Sequence, residues 1–202
     1  MEQIQPFHLV SKFLKNIPQG LVLDIGAGMG RNSFFLAQNG FTVEAIDINE
    51  NNINNIKKIS EENNWRIQAF SQNLKNFDFI NSKYSLILAI QCFNFIKKSE
   101  FDNVIEKIKN SLKQNSLMII SAFTTEDPSY KKLKEKHKPV EENTFYSANQ
   151  PNWWHFFNKN ELKQYFNSDF EILHFKEKIV EDQKPQPHFH GICEMVIKKI
   201  SE

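Results

Sequence analysis

The chain has 202 residues, 40% of them hydrophobic and 24% charged, a balance that suits one domain with a full core and excludes a disordered chain. Its formal net charge of +1 offers no bulk attraction for nucleic acid or an anionic membrane, so neither is expected as a partner. No apolar run reaches the length of a bilayer span, and the first residues lack a basic-then-apolar leader. Cys92 and Cys193 form no CxxC pair, so they are expected as buried, reduced thiols of a cytoplasmic protein.

In chain order, Phe7, Val10, Phe13 and Leu14 recur at helical spacing and predict an amphipathic N-terminal helix. "LVLDI" (21–25) is a short, continuous and mainly aliphatic run, as a strand buried on both faces should be. "RNSFFLAQN" follows with helical spacing and ends at Gly40, a good terminator. "FTVEAID" (41–47) is a second strand. The helix after it has Asn49 as its candidate cap and Ile53, Ile56 and Ile59 on one stripe. "RIQAF" (66–70) and "YSLILAI" (84–90) are further strands. A helix opening at Ser99, with Asp102 as its capping-box partner, precedes a fifth strand at "SLMIISAF" (116–123). This alternation calls for a doubly wound, Rossmann-like, mostly parallel α/β sheet.

Residues 124–157 break the rhythm with a connection long enough to be a lid or substrate-side insertion within the single domain. A short helix is expected from Asn158, with Glu161 as its capping partner. "FEILHFKEKIV" (170–180) and "GICEMVIKKI" (191–200) then predict a C-terminal antiparallel hairpin, giving seven strands in all.

The chemistry concentrates where the first strand ends. In a doubly wound sheet, ligands bind beyond the carboxyl ends of the strands, and Gly26, Gly28 and Gly30 fall at that edge. Arg31 occupies the residue after Gly30, so the pattern is DxGxGxG beginning at Asp24, not the dinucleotide GxGxxG. Asp47 closes the second strand about twenty residues beyond the first glycine, where an acid grips ribose hydroxyls. A GxGxG turn alone is as readily a packing device as a binding loop. The strand before it, the helix after it and Asp47 together favour a nucleoside ligand with free ribose hydroxyls.

"VLDIGAGMGRNSFFLAQNGFTVEAIDIN" resembles the first two motifs of class I S-adenosylmethionine-dependent methyltransferases, and in particular the small-molecule branch that includes tellurite-resistance-type enzymes. The resemblance covers residues 20–123 well. It implies S-adenosyl-L-methionine as the cofactor. The backbone of Gly26, Ala27, Gly28 and Gly30, with Arg31 and Asn32 at the helix start, would border the methionine moiety. Asp24 would orient that loop or the cofactor's amino group. The same resemblance puts Asp47 on both ribose hydroxyls, Ile48 against adenine, Asn73 and Leu74 at the adenine edge, and Ala89 and Gln91 beside the cofactor. Asn73 stands where many relatives carry Asp.

For the acceptor, "FYSANQPNWWHFF" (145–157) gathers Trp153, Trp154 and His155 into an aromatic wall, against the plainer reading that these rings anchor the connection onto the sheet. His188 and His190 share a face if extended and are further substrate-side candidates. Two histidines do not specify a metal, and none is expected. The implied function is methyl transfer to a small-molecule acceptor by a monomer or homodimer. The alternatives are an NAD-dependent oxidoreductase and a non-catalytic S-adenosylmethionine-binding protein.

Overall fold

The structure, a computed structural model, describes residues 4–148, 151–182 and 187–201. Its frame is a seven-stranded sheet in the order β3-β2-β1-β4-β5-β9-β8. The strands are β1 (Leu21–Ile25), β2 (Thr42–Asp47), β3 (Ile67–Ser71), β4 (Tyr84–Ile90), β5 (Leu112–Phe123), β8 (Phe170–Asp182) and β9 (His188–Lys199). The first five pair parallel; β9 pairs antiparallel with β5 and with β8. The doubly wound sheet with an antiparallel closing pair is thus the observed fold.

Alternation along the strands explains why the central run is continuously apolar. Leu23, Ile25, Ile87 and Met118 face one side, with Phe101, Val104 and Ile105 of α4 (Lys98–Ser111). Val22, Val43, Leu86 and Leu117 face the other, with Leu9 and Val10 of α1 (His8–Phe13). A strand buried on both faces is apolar almost throughout, and polar residues within it, such as Asp24 and Ser85, are hydrogen-bonded. The N-terminal helix is therefore a core element, and the Phe7 N–H is fastened to the Asn32 side-chain oxygen at 2.8 Å.

α2 (Arg31–Gln38) and α3 (Glu50–Glu62) follow β1 and β2 as expected, and Asn49 caps α3 by accepting from the Asn51 N–H at 3.0 Å. The start of α4 differs. Its N-cap is Lys97, whose N–H donates to Glu100 Oε2 at 3.0 Å; Ser99 lies inside the first turn and donates its N–H and hydroxyl to Glu141. The capping-box acid is thus Glu100, three residues after Lys97, in place of the expected Asp102, and Glu141 adds an acceptor from 42 residues away. α6 (Glu161–Gln164) also starts later than expected, although Glu161 does accept from the Asn158 N–H at 2.7 Å. Residues 124–157 are more ordered than a plain connection. They hold α5 (Pro128–Lys136) and a separate two-stranded sheet of β6 (Thr144–Ser147) and β7 (Asn152–His155).

Candidate functional site

The parallel strands all end on one edge, and a cleft of about 540 Å³ opens there, within the range of small-molecule sites. Its floor is the turn after β1. Gly26 has φ +66° and Gly28 φ +55°, conformations that side-chain-bearing residues rarely adopt. A Cβ on Gly26 would come within 2.5 Å of the Cys92 Cβ, whereas one on Gly28 would meet nothing within 4 Å. Gly26 is demanded by packing as well as by φ; Gly28 leaves backbone bare to the cleft.

Asp47 ties this floor together. One carboxylate oxygen accepts from the Gly28 N–H at 2.8 Å, the other from the Asn49 N–H at 2.8 Å. Each oxygen keeps a lone pair for a ligand hydroxyl. Next to it Ile48 is 72% exposed and lines the cleft, offering apolar surface to a ligand there. Asn73 and Leu74 line the same side. The Asn73 side-chain oxygen accepts from the Lys75 N–H at 3.0 Å, which fixes its orientation. Gln91 completes the floor with φ +53°, its N–H donating to the Ser121 carbonyl at 2.7 Å.

Several expected residues lie outside these walls. Asp24 is buried and accepts from the Ser33 hydroxyl at 2.6 Å, so its contact is with the helix behind the turn. Burial pushes its carboxyl up to about 6, against the opposing hydrogen bonds from Ser33. Ala27 packs inward with its N–H on the Ile46 carbonyl, and Gly30 lies under Phe34 and Ile56. Arg31 is exposed, Asn32 serves α1, and Ala89 is wholly buried in the sheet. Of the aromatic wall only Trp153 reaches the cleft. Trp154 packs edge-on against Phe95, because alternation along β7 turns it to the opposite face. His155 is 1% exposed with Nδ1 on the Thr144 hydroxyl at 2.9 Å. Burial, and then the nearby Lys98 charge, press it down to about 4. His188 and His190 are not among the cleft residues.

Sequence reasoning missed other contributors. Cys92, expected in the core, is only partly buried and lines the cleft; burial still drives its thiol well above the usual range. Cys193 is buried as expected, its thiol pushed up to about 12. Lys75 and Glu100 form a 2.8 Å ion pair at the rim. Tyr146 and Trp153 of the β6–β7 hairpin face each other at 5.0 Å, and Lys97 sits 4.5 Å from the Trp153 ring centre. Tyr146 lay inside the aromatic stretch already singled out. Only the hairpin pairing, which sets it opposite Trp153, brings it to the cleft.

Among known sequences, the family described as "Tellurite resistance protein TehB" matches residues 4–150. A curated relative, "Probable S-adenosyl-L-methionine-dependent methyltransferase TehB" of Haemophilus influenzae, is 28% identical over 165 residues, covering 81% of this chain and 50% of its own length. The chain thus spans about half of that relative. The crystal structure of TehB from Haemophilus influenzae superposes with a TM-score of 0.74 at 23% identity, over 96% of this chain and 62% of that one. A methyltransferase structure from Methanosarcina mazei gives 0.78 at 21% identity, over 97% and 99%. At those identities the structures speak for a shared fold.

Proposed function

The chain belongs to the tellurite resistance protein TehB family, and from that premise we propose that it transfers a methyl group from S-adenosyl-L-methionine to a small-molecule acceptor. The observation that carries this reading is Asp47, held by the glycine turn and the α3 cap at the floor of the cleft. A carboxylate so oriented suits a vicinal diol, and Ile48 and Leu74 offer apolar surface for a purine. Gly28 leaves room beside the turn for the amino-acid tail, and Asn73 and Gln91 are proposed at the adenine edge and beside the cofactor. Asp24 acts by holding the turn to α2 through Ser33. The bound cofactor supplies an activated methyl carbon.

The protein's part is to align the acceptor and keep water out. We assign that role to the β6–β7 hairpin, whose Tyr146 and Trp153 stand over the cleft. Of the ionisable groups on the walls, Cys92 is held as a thiol and Glu100 is tied to Lys75, so neither stands free as a base. That favours an acceptor arriving already nucleophilic, such as a soft anion, over one that must first be deprotonated. Arg31 in place of a fingerprint glycine and the family membership leave the oxidoreductase reading without support. The protein is proposed to be cytoplasmic, a monomer or homodimer, without a nucleic-acid or membrane partner.

Calorimetric titration with S-adenosylhomocysteine tests the cofactor. Micromolar binding is expected, and no heat at high micromolar concentration overturns the reading. Asp47→Ala should weaken that binding at least about tenfold, the scale of a lost charged hydrogen bond, with an unchanged far-UV spectrum. Incubation of labelled cofactor with thiols, selenite, tellurite, amines and phenols identifies the acceptor class.

A further inference from the structure

The two late histidines are placed together by strand register. In the β8–β9 pair Asp182 stands opposite His188 and Val180 opposite His190. Side chains two apart on a strand share a face, and so do directly paired residues. Asp182, His188 and His190 therefore converge where β8 passes to β9. Each has a ligand atom within 4.8 Å of the others, and the two imidazoles meet edge-on with centres 4.7 Å apart. We propose that Asp182, His188 and His190 form a binding site for a divalent transition metal of the zinc type.

A second observation prepares His190 for that role. Asp127 is 2% exposed, and one of its oxygens lies 2.9 Å from His190 Nδ1 and accepts from the Gly191 N–H at 3.2 Å. Its other oxygen takes the Ser129 N–H and hydroxyl. An ionised carboxylate only accepts, so Nδ1 is the donor in that contact and Nε2 is the nitrogen left to face a metal. A buried acid behind a ligating histidine is the arrangement that fixes ring orientation and raises ligand basicity at metal sites. Phe123 stacks on the same ring at 4.9 Å and 19°. Gly191 is what lets the acid approach: a Cβ there would come within 2.3 Å of the Asp127 backbone nitrogen.

Two imidazoles and one carboxylate suit zinc and its neighbours. Magnesium and calcium prefer oxygen alone, and copper(I) prefers sulfur. A tetrahedral zinc sphere needs its ligand atoms about 3.3 Å apart. Binding would therefore draw the ligand atoms, now within 4.8 Å of one another, closer together by movement of the exposed Asp182 and half-buried His188 side chains. A water completes the sphere. The ion would clip β8 to β9 and, through His190 and Asp127, to the start of α5. It sits beyond β5, on the same sheet edge as the cleft but outside its walls, so the inference does not depend on the methyltransferase reading.

The test uses the full chain, free of any affinity tag and stripped with a chelator. Titration with Zn²⁺ at pH 7 should give one equivalent bound at micromolar Kd or tighter, together with a raised Tm. Co²⁺ should give ligand-field bands without thiolate charge transfer. His188→Ala and His190→Ala should each weaken binding at least about a hundredfold, and Asp127→Asn by about ten- to a hundredfold. Binding only at millimolar zinc, binding unchanged in His188→Ala, or a thiolate band from Cys92 or Cys193 would each overturn the proposal. His188→Ala removes a half-exposed side chain at a strand end, so it decides the matter if His190→Ala fails to fold. S-adenosylhomocysteine titration of the metal-free protein tests the cleft separately.

Discussion

Asp24 and His155 are both buried ionisable side chains, and burial moves them in opposite directions. The Asp24 carboxyl is raised from 3.8 to about 6. Its favourable contribution is complete below pH 3.8 and is lost as pH rises through about 6, where the folded state must hold a charge in a dry site. His155 is lowered from 6.5 to about 4. Its contribution is complete above pH 6.5 and is lost as pH falls through about 4, because only the unfolded chain takes up the proton. Each shift corresponds to about 3 kcal/mol at 1.36 kcal/mol per pKa unit, and the two windows overlap with opposite slope. Urea midpoints between pH 4 and 6.5 should therefore change little in the native sequence through these two groups. Asp24→Asn should leave the histidine unopposed, so stability falls on acidification. His155→Gln should leave the acid unopposed, so stability rises. Parallel profiles for both variants would falsify this assignment. Neither direction was legible in the sequence, because it depends on how much of the fold lies over each group.

Elements in this chain are joined by single buried polar residues as much as by apolar faces. Asn94, fully buried after β4, donates to the carbonyls of Phe123 and His155, at 3.3 and 2.6 Å, and accepts from the Phe123 N–H at 2.8 Å. It thereby fastens the end of β5 to β7, and so anchors the hairpin that overhangs the cleft. Asn94→Ala strands the buried Phe123 N–H and removes the amide donor from the His155 carbonyl, while the Phe123 carbonyl keeps the Phe157 N–H. The expected loss is about 2–4 kcal/mol, from unsatisfied groups at roughly 1–3 kcal/mol each. Chemical denaturation measures it, and a change below about 0.5 kcal/mol would mean the hairpin is held by its aromatic contacts alone. β1, β4 and β5 were legible from near-continuous apolar runs, and β2 and β3 from short apolar-rich runs set between helical patterns. β6 and β7 were not, because four-residue strands in an Asn-rich stretch carry too little alternation to stand out. The start of α4 differs for another reason: Lys97, not a usual capping residue type, takes the N-cap with Glu100 as its partner, while Glu141 from the connection after α5 takes the Ser99 N–H and hydroxyl.

At the scale of the whole molecule, a cofactor that binds only the folded chain must raise its stability by mass action. At a hundred times Kd the gain is about 2.7 kcal/mol, or a Tm rise on the order of 5–10 °C for a chain of this size. S-adenosylhomocysteine should produce that rise in the native sequence and lose it in Asp47→Ala; an equal rise in both would detach Asp47 from the cofactor. The sheet edge also explains the division between what was foreseen and what was not. The amino-acid sequence by itself determined the doubly wound fold, the glycine turn and the acid at the end of β2, because these rest on local runs and on a spacing of about twenty residues within one βαβ unit. Tertiary structure alone decided that Asp24 faces Ser33, that Cys92 and Tyr146 reach the cleft while Trp154 and His155 turn away, and that Asp182 joins His188 and His190. Those outcomes are set by strand register and by packing between segments distant in the chain. A one-residue change of register sends every side chain of a strand to the opposite face, and no local pattern reports it.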